Sequence, residues 1–188
     1  MSDSSESPGS YSYALRALHW LIAAVILTAI VLGVAALGLE RGTPLRVFVL
    51  TVHKSLGVTA LVLVVARIVV RVIEKAPAYV PPLTALNHAG AGIVHLGLYA
   101  LMLAMPISGY IDSGAGKHDF SWFGLFMVPN FVPEDKALSH LAGQAHYWFA
   151  LLIGAALIAH IVGAIWHAAV KKDFVFTRMW PSWRPKRA

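Results

Sequence analysis

HYWFALLIGAALIAH, residues 146–160, begins and ends with histidine and holds only small, aliphatic and aromatic residues between them, apart from one tyrosine hydroxyl and one indole. An ionisable side chain in a run this apolar is costly, so two imidazoles there mark a function. Fourteen residues on an α-helix rise ~21 Å and turn through ~1400°, which leaves the two side chains only about 40° apart in azimuth. His146 and His160 therefore share one helix face at two depths.

The remainder of the chain defines the solvent for that helix. Of 188 residues, 58% are hydrophobic and 13% charged, a balance that excludes an ordinary water-soluble domain. Apolar tracts at 20–39, 55–70 (broken once by Arg67), 89–111 and 145–170 each approach the ~20 residues that cross a ~30 Å hydrocarbon core. The tract after Arg16 is too long for a signal-peptide core and has no clear small-residue cleavage pattern, so it is expected to be the first membrane helix. The expected fold is all-α, a four-helix transmembrane bundle with helices at about 16–39, 47–71, 87–111 and 143–171. Around this domain, placed at 13–181, residues 1–12 are expected to be a disordered tail and 182–188 a basic C-terminal tail. Pro77, Pro81 and Pro82 should end the second helix and precede the third. The longest connection, 112–144, carries HDFSWFGLFMVPNF (118–131), suited to the membrane surface or to covering one mouth of the bundle.

Charge sets the expected orientation. Arg16, Arg71, Lys75, Lys171, Lys172, Arg178, Arg184, Lys186 and Arg187 flank one side of four spans. Arg41, Arg46, Lys117 and Lys136 on the other are diluted by Glu40, Asp112, Asp119, Glu134 and Asp135. The positive-inside rule then puts both termini in the cytoplasm. The net charge of +6 needs no nucleic-acid partner, because basic tails beside anionic lipid account for it.

The chain has no cysteine, which removes disulfides, thioether-linked haem, iron–sulfur clusters and thiolate metal sites. It has nine histidines. His19 and His160 fall toward the cytoplasmic end of their helices, and His53 and His146 toward the outer end. For haem held between two imidazoles, topology pairs His53 with His146 as an outer site and His19 with His160 as an inner one. His167 lies seven residues beyond His160 on nearly the same face, and geometry alone admits it as the inner ligand too. Its 21-residue separation from His146 would set the two centres ~31 Å apart, a poor electron-transfer distance, which favours His160.

These residues resemble a family. LHWLIA (18–23), VHKSLG (52–57), VHLGLYALMLAMPISGY (94–110), AHYWFALLIGAALIAHIVGAIWH (145–167) and KKDFVFTRMWP (171–181) are similar to the bacterial cytochrome b561 family. The resemblance covers residues 11–181 and extends to the membrane cytochrome subunits of nickel–iron hydrogenases and formate dehydrogenases. It implies two b haems on the positions matching His19, His53, His146 and His160, quinone as redox partner and a multi-pass place in the bacterial inner membrane. For members of this length and ending, superoxide oxidases, it implies oxidation of superoxide at the periplasmic face and reduction of ubiquinone.

Other costly residues have two readings each. Arg67 follows His53 by fourteen positions; it pairs with a haem propionate or snorkels to the inner surface. His95 acts beside the inner haem as a hydrogen-bonding or proton-handling group, or packs as a bundle histidine. His88 is interfacial, and His118 and His140 belong to the outer loop. Gly57, Gly90, Gly92, Gly97, Gly154 and Gly163 allow close helix packing or make room for macrocycles. Lys54, Lys117, Lys136 and Arg46 form a basic funnel for a small anion, or are ordinary solvated loop charge. Two other functions fit the same residues: a cytochrome anchor subunit fed by a dehydrogenase or hydrogenase partner, and a haem-free transporter whose histidines serve protons or metals.

Overall fold

The computed structural model describes residues 10–74, 77, 84–173 and 175–180. Most of the expected N-terminal tail, Lys75, Pro81, Pro82 and the expected C-terminal tail lie outside the described residues. Four helices dominate: α1 (Tyr13–Leu37), α2 (Pro44–Ile73), α3 (Ala85–Ala115) and α4 (Lys136–Trp166). All four are long and apolar enough to cross a membrane.

Each helix begins where a short polar side chain can take up the free N–H groups of a first turn. The Ser12, Thr43 and Thr84 hydroxyls accept from Leu15, Arg46 and Asn87, and the Asp135 carboxylate accepts from Ala137 and Leu138. Pro44 follows its cap at the first helical position, where a missing N–H costs nothing. The last cap departs from expectation. Asp135 starts α4 well before residue 143, so His140 stands on an exposed helical turn and not in a loop. α4 then runs into a π-helical turn, His167–Lys171, which ends on Lys172 at φ 52°. α3 continues unbroken through Pro106.

α1 packs chiefly on α2 and α3 on α4, with α2 and α3 joining the two halves. The core is a slender apolar seam. Ile22 and Ile26 of α1 meet Ala60 and Val64 of α2, and Leu103 of α3 and Leu157 of α4 close over them. Large apolar side chains such as Val31, Val62, Ile93 and Ile158 point outward, as lipid-facing residues do.

Two ties close the ends of the bundle. A two-stranded antiparallel hairpin, β1 (Ser121–Trp122) and β2 (Phe126–Met127), folds against α2. The fully buried Ser55 hydroxyl accepts from the Phe123 N–H at 2.9 Å and lies 2.7 Å from the Thr51 carbonyl, while Trp122 Nε1 donates to Thr59 Oγ1 at 3.1 Å. At the opposite end the C-terminal segment clasps α1. Trp20 Nε1 donates to the Met179 carbonyl at 2.8 Å, Arg16 to the Trp180 carbonyl at 3.2 Å, and the Tyr11 N–H to the Arg178 carbonyl at 3.3 Å. Tyr11 and Ser12, assigned to the tail by sequence, thus make defined contacts.

Candidate functional site

Near the hairpin end, α2 and α4 bring His53 and His146 opposite each other across the bundle. Their ring centroids are 6.1 Å apart and their planes nearly perpendicular, at 82°. Each ring is fastened to a neighbouring helix. His53 Nδ1 lies 2.8 Å from the Ala29 carbonyl of α1, and His146 Nδ1 lies 3.0 Å from the Met105 carbonyl of α3. A carbonyl can only accept, so in both rings Nδ1 carries the proton and Nε2 is left with a lone pair to give. Ser108, whose hydroxyl donates to the same Met105 carbonyl at 2.8 Å, stands 3.2 Å from His146 Nδ1.

Near the termini end, His19 of α1 and His160 of α4 are also 6.1 Å apart, with planes at 66°. His95 of α3 joins them, its ring 5.3 Å from that of His160. Among the described residues none of these three rings has a hydrogen bond to a ring nitrogen. A buried cation lies beside them. Arg67, 7% exposed, donates Nε to the Tyr99 hydroxyl at 3.1 Å and a terminal N–H to the Leu15 carbonyl. Leu15 is one turn before His19, and Tyr99 one turn after His95. The guanidinium is therefore held inside the bundle, which excludes snorkelling to the surface.

Both 6.1 Å pairs fit a metal held between two imidazoles. Two metal–nitrogen bonds of ~2.0–2.1 Å plus about 1.1 Å from each nitrogen to its ring centre put the centroids about 6.3 Å apart. His95 and His160 are closer than that. His167 has no second imidazole opposite it among the described residues, and its Nδ1 lies 2.5 Å from a carboxylate oxygen of Asp173. With no thiol in the chain, the neutral imidazole pairs are the donors suited to haem iron.

Several sequence expectations take a different form. Gly90, Gly92, Gly97, Gly154 and Gly163 have nothing within 4 Å of where a Cβ would stand, so they leave open space and do not serve close packing within the chain. Toward the histidine rings, the glycines that permit a close approach are Gly33 and Gly109, neither of which the sequence marked for that role. A Cβ on Gly33 would lie 3.0 Å from His53 Cε1, and one on Gly109 3.0 Å from His146 Cε1. No signal in the sequence marks them; in the structure each lies four residues after the carbonyl that holds a histidine.

The cations of the expected funnel are largely engaged. Arg46 donates to the Ala36 and Leu39 carbonyls at 2.6 and 2.7 Å, capping the end of α1. Lys117 pairs with Glu134 at 3.7 Å. Lys54 donates to the His118 carbonyl at 3.0 Å and lies over the Phe120 ring. His88 and His118 are exposed. Beside the hairpin end, Asp112, Ser139, His140, Gln144, Tyr147 and Trp148 line an open cleft of about 520 Å³.

Residues 10–182 match the family described as prokaryotic cytochrome b561. The chain is 31% identical over 173 residues to cytochrome b561 homolog 2 of Escherichia coli (strain K12), covering 92% of each chain. It is 26% identical over 168 residues to cytochrome b561 homolog 1 of the same organism, covering 87% of this chain and 93% of the relative. A probable superoxide oxidase CybB of Yersinia pestis is 26% identical over 176 residues, covering 93% and 97%. The chain belongs to the prokaryotic cytochrome b561 family, whose members are multi-pass membrane proteins that bind b-type haem and carry electrons across the membrane.

Proposed function

We propose that this member of the prokaryotic cytochrome b561 family holds two b haems, one between His53 and His146 and one between His19 and His160, and passes electrons from superoxide to ubiquinone. The observation that carries the reading is the pair of imidazole gaps of equal width, stacked fourteen residues apart along α4. That rise sets the two histidine pairs ~21 Å apart along the helix, a separation that would suit electron exchange within the bundle. The donor is suggested by the Yersinia pestis relative, a probable superoxide oxidase.

Haem bound at these positions supplies reversible one-electron exchange; the chain's own residues do the rest. The helix carbonyls of Ala29 and Met105 hold the Nδ1 protons of His53 and His146, leaving Nε2 of each to the iron. Holding the iron of each haem with two imidazoles, His53 with His146 and His19 with His160, would leave a donor to exchange electrons without binding the iron itself. Arg67 keeps a positive charge beside the termini-end site and offers its guanidinium to a propionate there. His95, 5.3 Å from His160, is close enough to hydrogen-bond that haem's surroundings and to hold a proton. Lys54, next in sequence to His53, fixes an ammonium near the hairpin-end mouth and favours approach of a small anion.

Electrons and protons balance simply. Two superoxide ions leave as two dioxygen molecules and give up two electrons; these and two protons convert ubiquinone to ubiquinol. In the bacterial inner membrane the hairpin end would face the periplasm and both termini the cytoplasm. Charge placement supports this. Arg16, Arg71, Lys171, Lys172 and Arg178 gather at the termini end, while at the hairpin end Lys117 pairs with Glu134, and Arg46 and Lys54 donate to carbonyls.

The test is a visible spectrum and haem count of the purified protein, followed by reaction with enzymatically generated superoxide. Two b haems per chain, reduced by superoxide and reoxidised by ubiquinone, is the expected result. A colourless preparation would overturn the haem assignment. Two haems that ignore superoxide but accept electrons from a co-purifying dehydrogenase or hydrogenase would overturn the donor alone.

A further inference from the structure

The two sites are built alike in width and unlike in surroundings. Around the hairpin-end pair the arrangement is repeated with near two-fold regularity: a helix carbonyl, a glycine four residues later, and a histidine ring lying on both. On α1 these are Ala29, Gly33 and the ring of His53; on α3 they are Met105, Gly109 and the ring of His146. A Cβ on Gly33 would meet His53 Cε1 at 3.0 Å and Nδ1 at 3.2 Å, and one on Gly109 would meet His146 Cε1 at 3.0 Å and Nδ1 at 3.1 Å. Both contacts are tighter than side chains ordinarily accept, and both fall on the ring edge that carries the carbonyl hydrogen bond. Only glycine lets the ring settle deep enough against the helix for Nδ1 to reach a carbonyl that the helix ladder already uses.

We propose that Gly33 and Gly109 are positioning residues that force this carbonyl bond on both ligands, and that the bond makes the hairpin-end site the lower in reduction potential of the two. The inference rests on the ligand assignment proposed above. An imidazole that donates Nδ1–H to a carbonyl is a more basic ligand at Nε2, and a more basic ligand favours the more positive, oxidised iron. The termini-end rings have no such bond among the described residues. They have Arg67 instead, buried between the turns that carry His19 and His95, and a fixed positive charge in low dielectric favours the reduced state. The two influences act in opposite senses at the two sites. An electron entering at the hairpin end then steps downhill toward the termini end, with the direction written into two glycines and one arginine.

The test is a spectroelectrochemical titration of the purified holoprotein, with ferric low-spin resonance spectra of the same samples. His146→Ala and, separately, His53→Ala identify the couples, because the one that survives belongs to the termini-end site. The surviving couple is expected to be the upper of the wild-type pair. Gly33→Ala and Gly109→Ala push a ring away by a few tenths of an ångström. Each is expected to raise the lower couple, shift the matching resonance and leave the upper couple in place. Loss of the hairpin-end haem alone is the same effect carried further, since losing such a hydrogen bond weakens metal binding by about 10–100-fold. Arg67→Gln is expected to lower the upper couple only. Gly38→Ala, whose Cβ would meet nothing closer than the Ala35 carbonyl at 3.7 Å, is expected to change neither. The proposal is overturned if both glycine variants keep wild-type potentials and resonances, if they move the upper couple or lose both haems, or if the survivor in the histidine variants is the lower couple. A protein without two b haems, or one that keeps both in the histidine variants, would instead refute the underlying ligand assignment.

Discussion

The His53–His146 and His19–His160 pairs have the same 6.1 Å separation, yet they are held in different ways. At the hairpin end each ring is locked by a carbonyl on one side and a glycine surface beneath it. At the termini end the rings have no hydrogen bond among the described residues, a third imidazole crowds one of them, and a buried guanidinium supplies charge. One site is specified by hydrogen bonds and close packing, the other by electrostatics. A bundle can thus place two equivalent ligand gaps with the same helix spacing and still differentiate them through the neighbouring helices.

The sharpest way to break the comparison is to remove one proposed ligand at each end. His146→Ala and His160→Ala are each expected to halve the haem content per chain, measured as the pyridine haemochrome, and to leave the other site occupied. Next in size is Arg67→Met, which leaves the Tyr99 hydroxyl without its partner and strips the Leu15 carbonyl of a charged donor. Hydrogen bonds to charged groups contribute about 1.5–3 kcal/mol each, so losing both should lower the unfolding free energy in detergent by up to about 3–6 kcal/mol and depress the thermal midpoint. The hairpin-end haem should remain.

Smaller effects separate the two closures of the bundle. Ser55→Ala removes the acceptor of the Phe123 N–H in a fully buried position, at a cost of about 1–2 kcal/mol. Faster hydrogen exchange is expected in 121–127, with no change at 175–180. Trp20→Phe breaks the bond to the Met179 carbonyl, worth about 0.5–1.5 kcal/mol, and should make the C-terminal segment easier to cleave by protease while the hairpin is unaffected.

The parts of this arrangement that repeat along one chain direction were legible in sequence. Fourteen residues between His146 and His160 require a shared helix face, and four apolar tracts require four spans. Contacts that depend on the register of one helix against another were not legible. Nothing in one dimension says that Gly33 lies under His53, twenty residues away, or that Arg67 reaches the Leu15 carbonyl and the Tyr99 hydroxyl instead of the surface. The start of α4 was misplaced for a related reason. Residues 136–142 are too polar to read as membrane helix, yet the Asp135 cap and the Ser139 hydroxyl, 2.8 Å from an Asp112 carboxylate oxygen, hold them in one.

The most direct test of the whole account is electron delivery across a sealed bilayer. Protein reconstituted in liposomes with ubiquinone in the membrane would be exposed to superoxide generated outside. Wild type is expected to form ubiquinol, while His160→Ala should retain a superoxide-reducible hairpin-end haem and form almost none. Ubiquinol formation at the wild-type rate in His160→Ala would contradict the account, because electrons would then reach quinone without the second imidazole pair.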